Sequence, residues 1–168
     1  MAPMRDIVPM TLGELDHAPF VVSSLTVLDA PPAEVFEELG DPSGWFPLMK
    51  SSTWQGRVGG VGSAREVVVR TFGTFREEML AWDVDRRVAF TMTRTSSPLV
   101  ARMAEDFAIR RVPGGTELAW RMVGHLTRPG RLVAPVLKLA VGRMAAIASK
   151  RLARRARATA DLRGTHAS

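Results

Sequence analysis

The spacing of apolar and polar positions changes period twice along the chain. Residues 20–28 read Phe-Val-Val-Ser-Ser-Leu-Thr-Val-Leu, rich in β-branched side chains, and predict a strand. The period then lengthens. In the stretch from Ala30 to Gly40, Val35, Phe36 and Leu39 share one helical face. Pro31 and Pro32 suit a first turn, Asp29 or Ala30 can cap it, and Gly40 can close it. Residues 41–47, Asp-Pro-Ser-Gly-Trp-Phe-Pro, predict a second short helical turn or a tight loop. Six strand-like segments follow, at 50–57, 62–72, 74–84, 86–95, 103–112 and 115–126. Turn-formers separate them, most clearly Pro113-Gly114-Gly115, and connections this short join antiparallel neighbours in a meander. From Pro129 to about Leu162 the period is helical again. Val133, Leu137, Ala140, Met144 and Ile147 form a stripe, with Val136, Leu139 and Ala148 beside it. A helix of that length spans about 45–50 Å, so its end should overhang the sheet.

Alternation also assigns faces. Leu118, Trp120 and Met122 point one way; Val88, Phe90 and Met92 share a face, as do Phe107 and Ile109. In the 62–72 strand the set Arg65, Val67, Val69 is more apolar than Glu66, Val68, Arg70, so it is expected inside, and it carries Arg65 with it. A sheet with one apolar face must be covered, and only the C-terminal helix is long and apolar enough to do so. The expected architecture is α+β: seven curved antiparallel strands around a long C-terminal helix, with two short helices after the first strand. Residues 1–18 read as a loosely ordered arm, 19–160 as the domain and 161–168 as a flexible tail. A space between sheet and helix is the candidate site.

Composition narrows the chemistry. The chain of 168 residues fits one domain. It has no Cys and no Tyr, and its three His (His17, His125, His166) are far apart. Thiol chemistry is excluded, and neither a metal site nor a cofactor is expected. The net charge of +6 is uneven: residues 1–120 carry 12 basic and 16 acidic groups, whereas residues 121–168 carry 11 basic groups and one acidic, Asp161. The longest apolar run, Leu132 to Ala148, is interrupted by Lys138 and Arg143, and no secretory pattern opens the chain. A cytoplasmic protein with at most a peripheral membrane contact is expected.

Several side chains are candidates for function. Arg65 with Glu78 heads them, as a buried pair able to bind a ligand carboxylate or polarise a carbonyl. A cross-strand pair on the solvent face is the competing reading, and parity leaves Glu77 as an equal partner. Trp45, Trp54, Trp82 and Trp120 can line an apolar pocket or simply pack a core. Val67, Phe90, Met122 and Met144 complete the expected lining. His125 sits at a strand end with no carboxylate partner apparent, which suits a solvated or structural role better than acid–base work. The stretch from Gly56 to Gly62 lacks a phosphate-loop ending and precedes a strand, so it reads as a hairpin loop or gate. Lys150, Arg151, Arg154, Arg155 and Arg157 form either a solvated helix end or a contact for anionic lipid headgroups; without a recognition motif, no specific nucleic acid is expected.

The motifs in order carry a resemblance. They are the stretch from Ala30 to Leu39, Asp41 through Trp45, Gly62-Ser-Ala-Arg65, Glu77-Glu78, Trp82 through Phe90, and Gly114 through Trp120. The arrangement over about residues 20–155 resembles the helix-grip fold of the START/SRPBCC superfamily, in its polyketide cyclase/dehydrase-like branch. The resemblance implies a cavity for a lipid, a polyketide-like compound or another small apolar molecule. It implies, as an alternative, a cyclase or dehydrase; the aromatic cyclases of this branch use polar cavity residues, often Tyr, and no complete catalytic set is matched here. A third alternative is a peripheral membrane protein acting through its basic helix.

Overall fold

The computed structural model describes residues 3–166 and joins the predicted strands into one antiparallel sheet. The strands are β1 (Arg5–Asp6), β2 (Phe20–Leu28), β3 (Met49–Gln55), β4 (Ala64–Val69), β5 (Gly73–Asp83), β6 (Arg87–Thr95), β7 (Val100–Val112) and β8 (Gly115–Leu126). Their order is β2-β8-β7-β6-β5-β4-β3, so the six-strand meander forms and its last strand turns back onto the first long one. The turn between β7 and β8 fixes that closure. Gly115 adopts φ +144°, and a Cβ there would stand 2.0 Å from the Leu28 carbonyl oxygen, so only glycine lets the two strands meet. Next to it, the Thr116 hydroxyl donates to the Ala30 carbonyl at 2.6 Å.

Helix α1 (Pro32–Gly40) follows β2, with Val35, Phe36 and Leu39 buried as their spacing predicts. Its N-cap is Pro31, with no side-chain cap, rather than Asp29 or Ala30; Asp29 ion-pairs with Arg157. A 3₁₀ turn at Pro42–Gly44 comes next, where Asp41 accepts from the Ser43 N–H at 3.0 Å. After β8 a short helix, α2 (Arg128–Leu132), leads into α3 (Ala134–His166).

Helix α3 covers the concave face with a stripe that keeps Leu137 and Ala148 of the expected one and otherwise turns away from it. Leu137, Val141, Ala145, Ala148, Leu152 and Ala156 are buried, whereas Val133, Val136, Leu139 and Ile147 stay 41–70% exposed. Small side chains let the helix axis approach β2 and α1 closely, and that proximity outweighs the larger aliphatic surface on the neighbouring face. Helix α3 runs through residues 161–166 of the expected tail, where Arg163 pairs with Glu34 and Glu37 of α1; residues 167–168 lie outside the described residues.

The arm is packed rather than loose. Strand β1 pairs with the end of β6, where β6 has parted from β7, and Arg5 donates to the Ser97 and Val100 carbonyls. A 3₁₀ helix at Leu12–His17 follows. Met10, Leu15 and Ala18 bury themselves against Ala104 and Val123 on the convex side of the sheet, a second small core that no periodicity in the arm announces.

Candidate functional site

Strand register brings the site together. Arg65 on β4 lies opposite Trp54 on β3 and Glu77 on β5, forming one row across three strands. In the next row Met79 on β5, Phe90 on β6, Glu105 on β7 and Met122 on β8 are successive partners. Both rows face α3. They deliver three ionisable groups, Arg65, Glu77 and Glu105, into an otherwise apolar space.

Arg65 is 2% exposed and Glu77 4%. The Arg65 Nε donates to Glu77 Oε2 at 2.6 Å, and Nη1 donates to the carbonyls of Leu39 and Gly40 at 3.1 and 3.2 Å. Those carbonyls end α1, so the guanidinium also meets the negative end of the helix dipole. Its flat faces meet Phe90 at 4.9 Å and Trp54 at 5.6 Å. Burial pushes the Glu77 carboxyl up, and the charge and hydrogen bond of Arg65 pull it back.

Glu105 is 7% exposed and accepts the Trp120 indole N–H on Oε2 at 2.8 Å. Loss of water raises its pKa to about 8, with the Glu77 charge adding to the rise; the Trp120 hydrogen bond and Arg65 oppose it. The charge count works in the same direction as burial. One guanidinium can hold one carboxylate, Glu77, and the second carboxyl in the same apolar space keeps its proton.

A hollow opens between these rows and α3. It offers about 80 Å³ for the centres of water-sized molecules, inside a lined space of about 840 Å³ that includes its mouth. The enclosed part exceeds a packing defect, which holds one water at most. Phe20, Phe46, Phe75 and Phe107 line it, with Leu137, Val141 and Met144 contributed by α3.

Of the expected site residues, Trp45, Arg65, Val67, Phe90, Met122 and Met144 line the hollow. Trp45 is anchored by its indole N–H, which donates to the Glu38 carbonyl at 2.6 Å. Trp120 sits one layer back, stacked on Phe107 at 5.0 Å. Trp54 and Trp82 pack edge-on at 5.8 Å, with Trp82 also edge-on to Phe36, and stand outside the lining.

Glu78 is a correction: it is exposed, and Glu77 takes its place beside Arg65. Uninterrupted alternation would set Glu78 and Trp82 on one face. A bulge between Met79 and Ala81 breaks the alternation, so Trp82 turns inward while Glu78 stays out. Phe75 and Met79, two residues to either side, carry the signal for Glu77, and Phe107 with Ile109 carries the signal for Glu105, two residues earlier on the same face.

Other candidates lie elsewhere. His125 borders a separate shallow hollow with Phe20, Arg131 and Lys138. The Gly56–Gly62 loop does not reach the lining; Gly59, at φ +72°, lies so close on the Trp82 ring that a Cβ would stand 2.8 Å from it. Among the described residues, no three His, Asp or Glu side chains are gathered as a metal site would need. Two members of the basic cluster are paired with carboxylates while staying half exposed or more. Arg155 donates to Glu38 at 2.7 Å and Arg157 pairs with Asp29, because α3 packs alongside α1 and the segment leading into it. Lys150, Arg151 and Arg154 face outward. No helix among the described residues is long and apolar enough to cross a membrane.

Comparison with known proteins gives consistent findings. Residues 19–157 match the family model described as polyketide cyclase / dehydrase and lipid transport. The chain is 31% identical over 140 residues to the uncharacterized protein Rv2574 of Mycobacterium tuberculosis, covering 79% of this chain and 84% of that one. An uncharacterized protein of Mycobacterium bovis matches equally. Among solved structures, a Thermus thermophilus protein, TTHA0849, superposes with a TM-score of 0.70 at 20% identity, covering 83% of this chain and 98% of that one. The Zhui aromatase/cyclase of a Streptomyces species superposes with a TM-score of 0.66 at 16% identity, covering 82% and 93%. At these identities the structural likeness is one of fold.

Proposed function

The chain belongs to the polyketide cyclase / dehydrase and lipid transport family, and from that premise we propose that it binds a small or medium apolar molecule, lipid or polyketide-like, between sheet and helix. The observation that carries this reading is the hollow itself, walled by aromatic and aliphatic side chains with its ionisable groups gathered in one buried cluster. Apolar surface leaving water drives entry, and the cluster sets orientation.

Titration with N-phenyl-1-naphthylamine, a neutral apolar dye that brightens out of water, tests it. Wild-type protein is expected to bind the dye, and Met144→Trp, which fills the wall supplied by α3, to bind it at least tenfold more weakly. Absence of dye binding by wild type, or equal binding by both, overturns the reading.

A second reading, a cyclase or dehydrase, draws on one observation: a carboxyl with a pKa of about 8 stands in the same hollow as a guanidinium. An acid tuned that close to neutrality suits proton transfer to a carbonyl oxygen. Turnover of a poly-β-ketone abolished in Glu105→Gln, with dye binding intact, separates catalysis from carriage. A peripheral bilayer contact rests on the basic cluster of Lys150, Arg151, Arg154, Arg155 and Arg157, and salt-sensitive binding to phosphatidylglycerol vesicles, lost on joint replacement of the outward-facing Lys150, Arg151 and Arg154 by alanine, is its test.

A further inference from the structure

Resting on the binding role above, we infer that the hollow selects uncharged ligands carrying a hydrogen-bond acceptor, a carbonyl above all, and that neutral Glu105 is the donor receiving it. Three observations converge on this.

The charge of Arg65 is already matched. Its Nε holds Glu77 at 2.6 Å, and Nη1 holds two α1 carbonyls. A ligand carboxylate would therefore add an uncompensated negative charge to a space whose one cation already holds Glu77. A carbonyl adds none.

The Glu105 carboxyl is also oriented. Trp120 holds Oε2 as an acceptor, and Trp120 is itself fixed by stacking on Phe107. The proton accordingly resides on Oε1, and Glu105 lines the hollow. A protonated carboxyl is a stronger donor than an alcohol, and in water-poor surroundings it favours an acceptor that desolvation would otherwise penalise.

The surroundings keep the proton in place. Glu77 on β5 and Arg65 on β4 are the charges that act on Glu105. The facing wall on α3 is Leu137, Val141 and Met144, with no titratable group, and the neighbouring positions on β6 and β8 are Phe90 and Met122. Ionisation near pH 8 should thus switch the donor off.

Displacement of N-phenyl-1-naphthylamine by three shape-related competitors tests the inference: butyrophenone, butylbenzene and 4-phenylbutanoate. The readout is the ratio of ketone to alkylbenzene affinity. In wild type that ratio is expected to fall about tenfold between pH 6 and pH 9.5, the value of one hydrogen bond. In Glu105→Gln, whose amide keeps a donor at every pH, the ratio is expected to stay constant. The carboxylate is expected to compete at least tenfold less well than the ketone at pH 7. A ratio that does not change with pH in wild type, the same change in Glu105→Gln, or equal competition by the carboxylate overturns the inference while dye binding leaves the carrier role standing. Failure of the dye to bind wild type overturns both.

Discussion

Two groups of arginine–carboxylate pairs occupy opposite environments in this protein. In the hollow, Arg65 and Glu77 are almost wholly buried, with Glu105 nearby. Along the seam of α1 and α3, Arg155–Glu38, Arg157–Asp29 and Arg163–Glu37 sit at the surface, their arginines half exposed or more. The residue types are the same, and the distances are alike: 2.6 Å for Arg65–Glu77 and 2.7 Å for Arg155–Glu38. What differs is water. At the seam, solvent and salt screen each pair, so the helices are held chiefly by Leu152, Ala156 and the apolar face of α1. Inside, no solvent compensates a missing partner, so the buried set behaves as a unit whose total charge matters more than any one contact.

Breaking the inner pair should have the largest effect. Arg65→Met strands Glu77 and removes the cap on α1, and a loss of about 3–5 kcal/mol in urea unfolding is expected. Pairing it with Glu77→Leu should recover most of that loss, since no lone charge is then buried; failure to recover would mean that the α1 carbonyls, not the ion pair, dominate.

The next effect is one of pH. Glu105 binds its proton in the folded state up to about pH 8, whereas an unfolded glutamate releases it near 4.5. The native state therefore holds the extra proton, and the stability it gives is full below pH 4.5 and is lost as pH rises through 8. A fall of about 2 kcal/mol between pH 6 and pH 8 is expected by denaturant melts, and it should flatten in Glu105→Gln. An unchanged slope in that variant would place the titrating group elsewhere.

The surface pairs give the smallest effect. Arg155→Ala is expected to cost less than about 1 kcal/mol, and its cost should shrink further at high salt, unlike that of Arg65→Met. A salt-independent loss would show that Arg155 acts through packing on α1 rather than through charge.

Much of the architecture was legible in local pattern. Period-two alternation and the Pro113-Gly114-Gly115 turn specify the meander, because side-chain direction and short connections are properties of neighbouring residues. The inward set of Arg65, Val67 and Val69 followed for the same reason, as did Phe90 and Met122 in the lining, while Met144 followed from the helical period. Where local pattern failed, a distant partner decided. The bulge at Met79 and Ala81 is set by pairing with β6, and it separates Glu78 from Trp82. The arm is ordered by Ala104 and Val123, about ninety residues or more away in the chain.

The sequence by itself determined the order of the elements, their faces and the presence of arginine on an apolar strand. Only the tertiary structure decided which carboxylate meets that arginine, which face of α3 closes the hollow and which basic residues are bound to α1. Those outcomes depend on register, close approach and the local supply of water, and each of these is set by chain segments that meet only after folding.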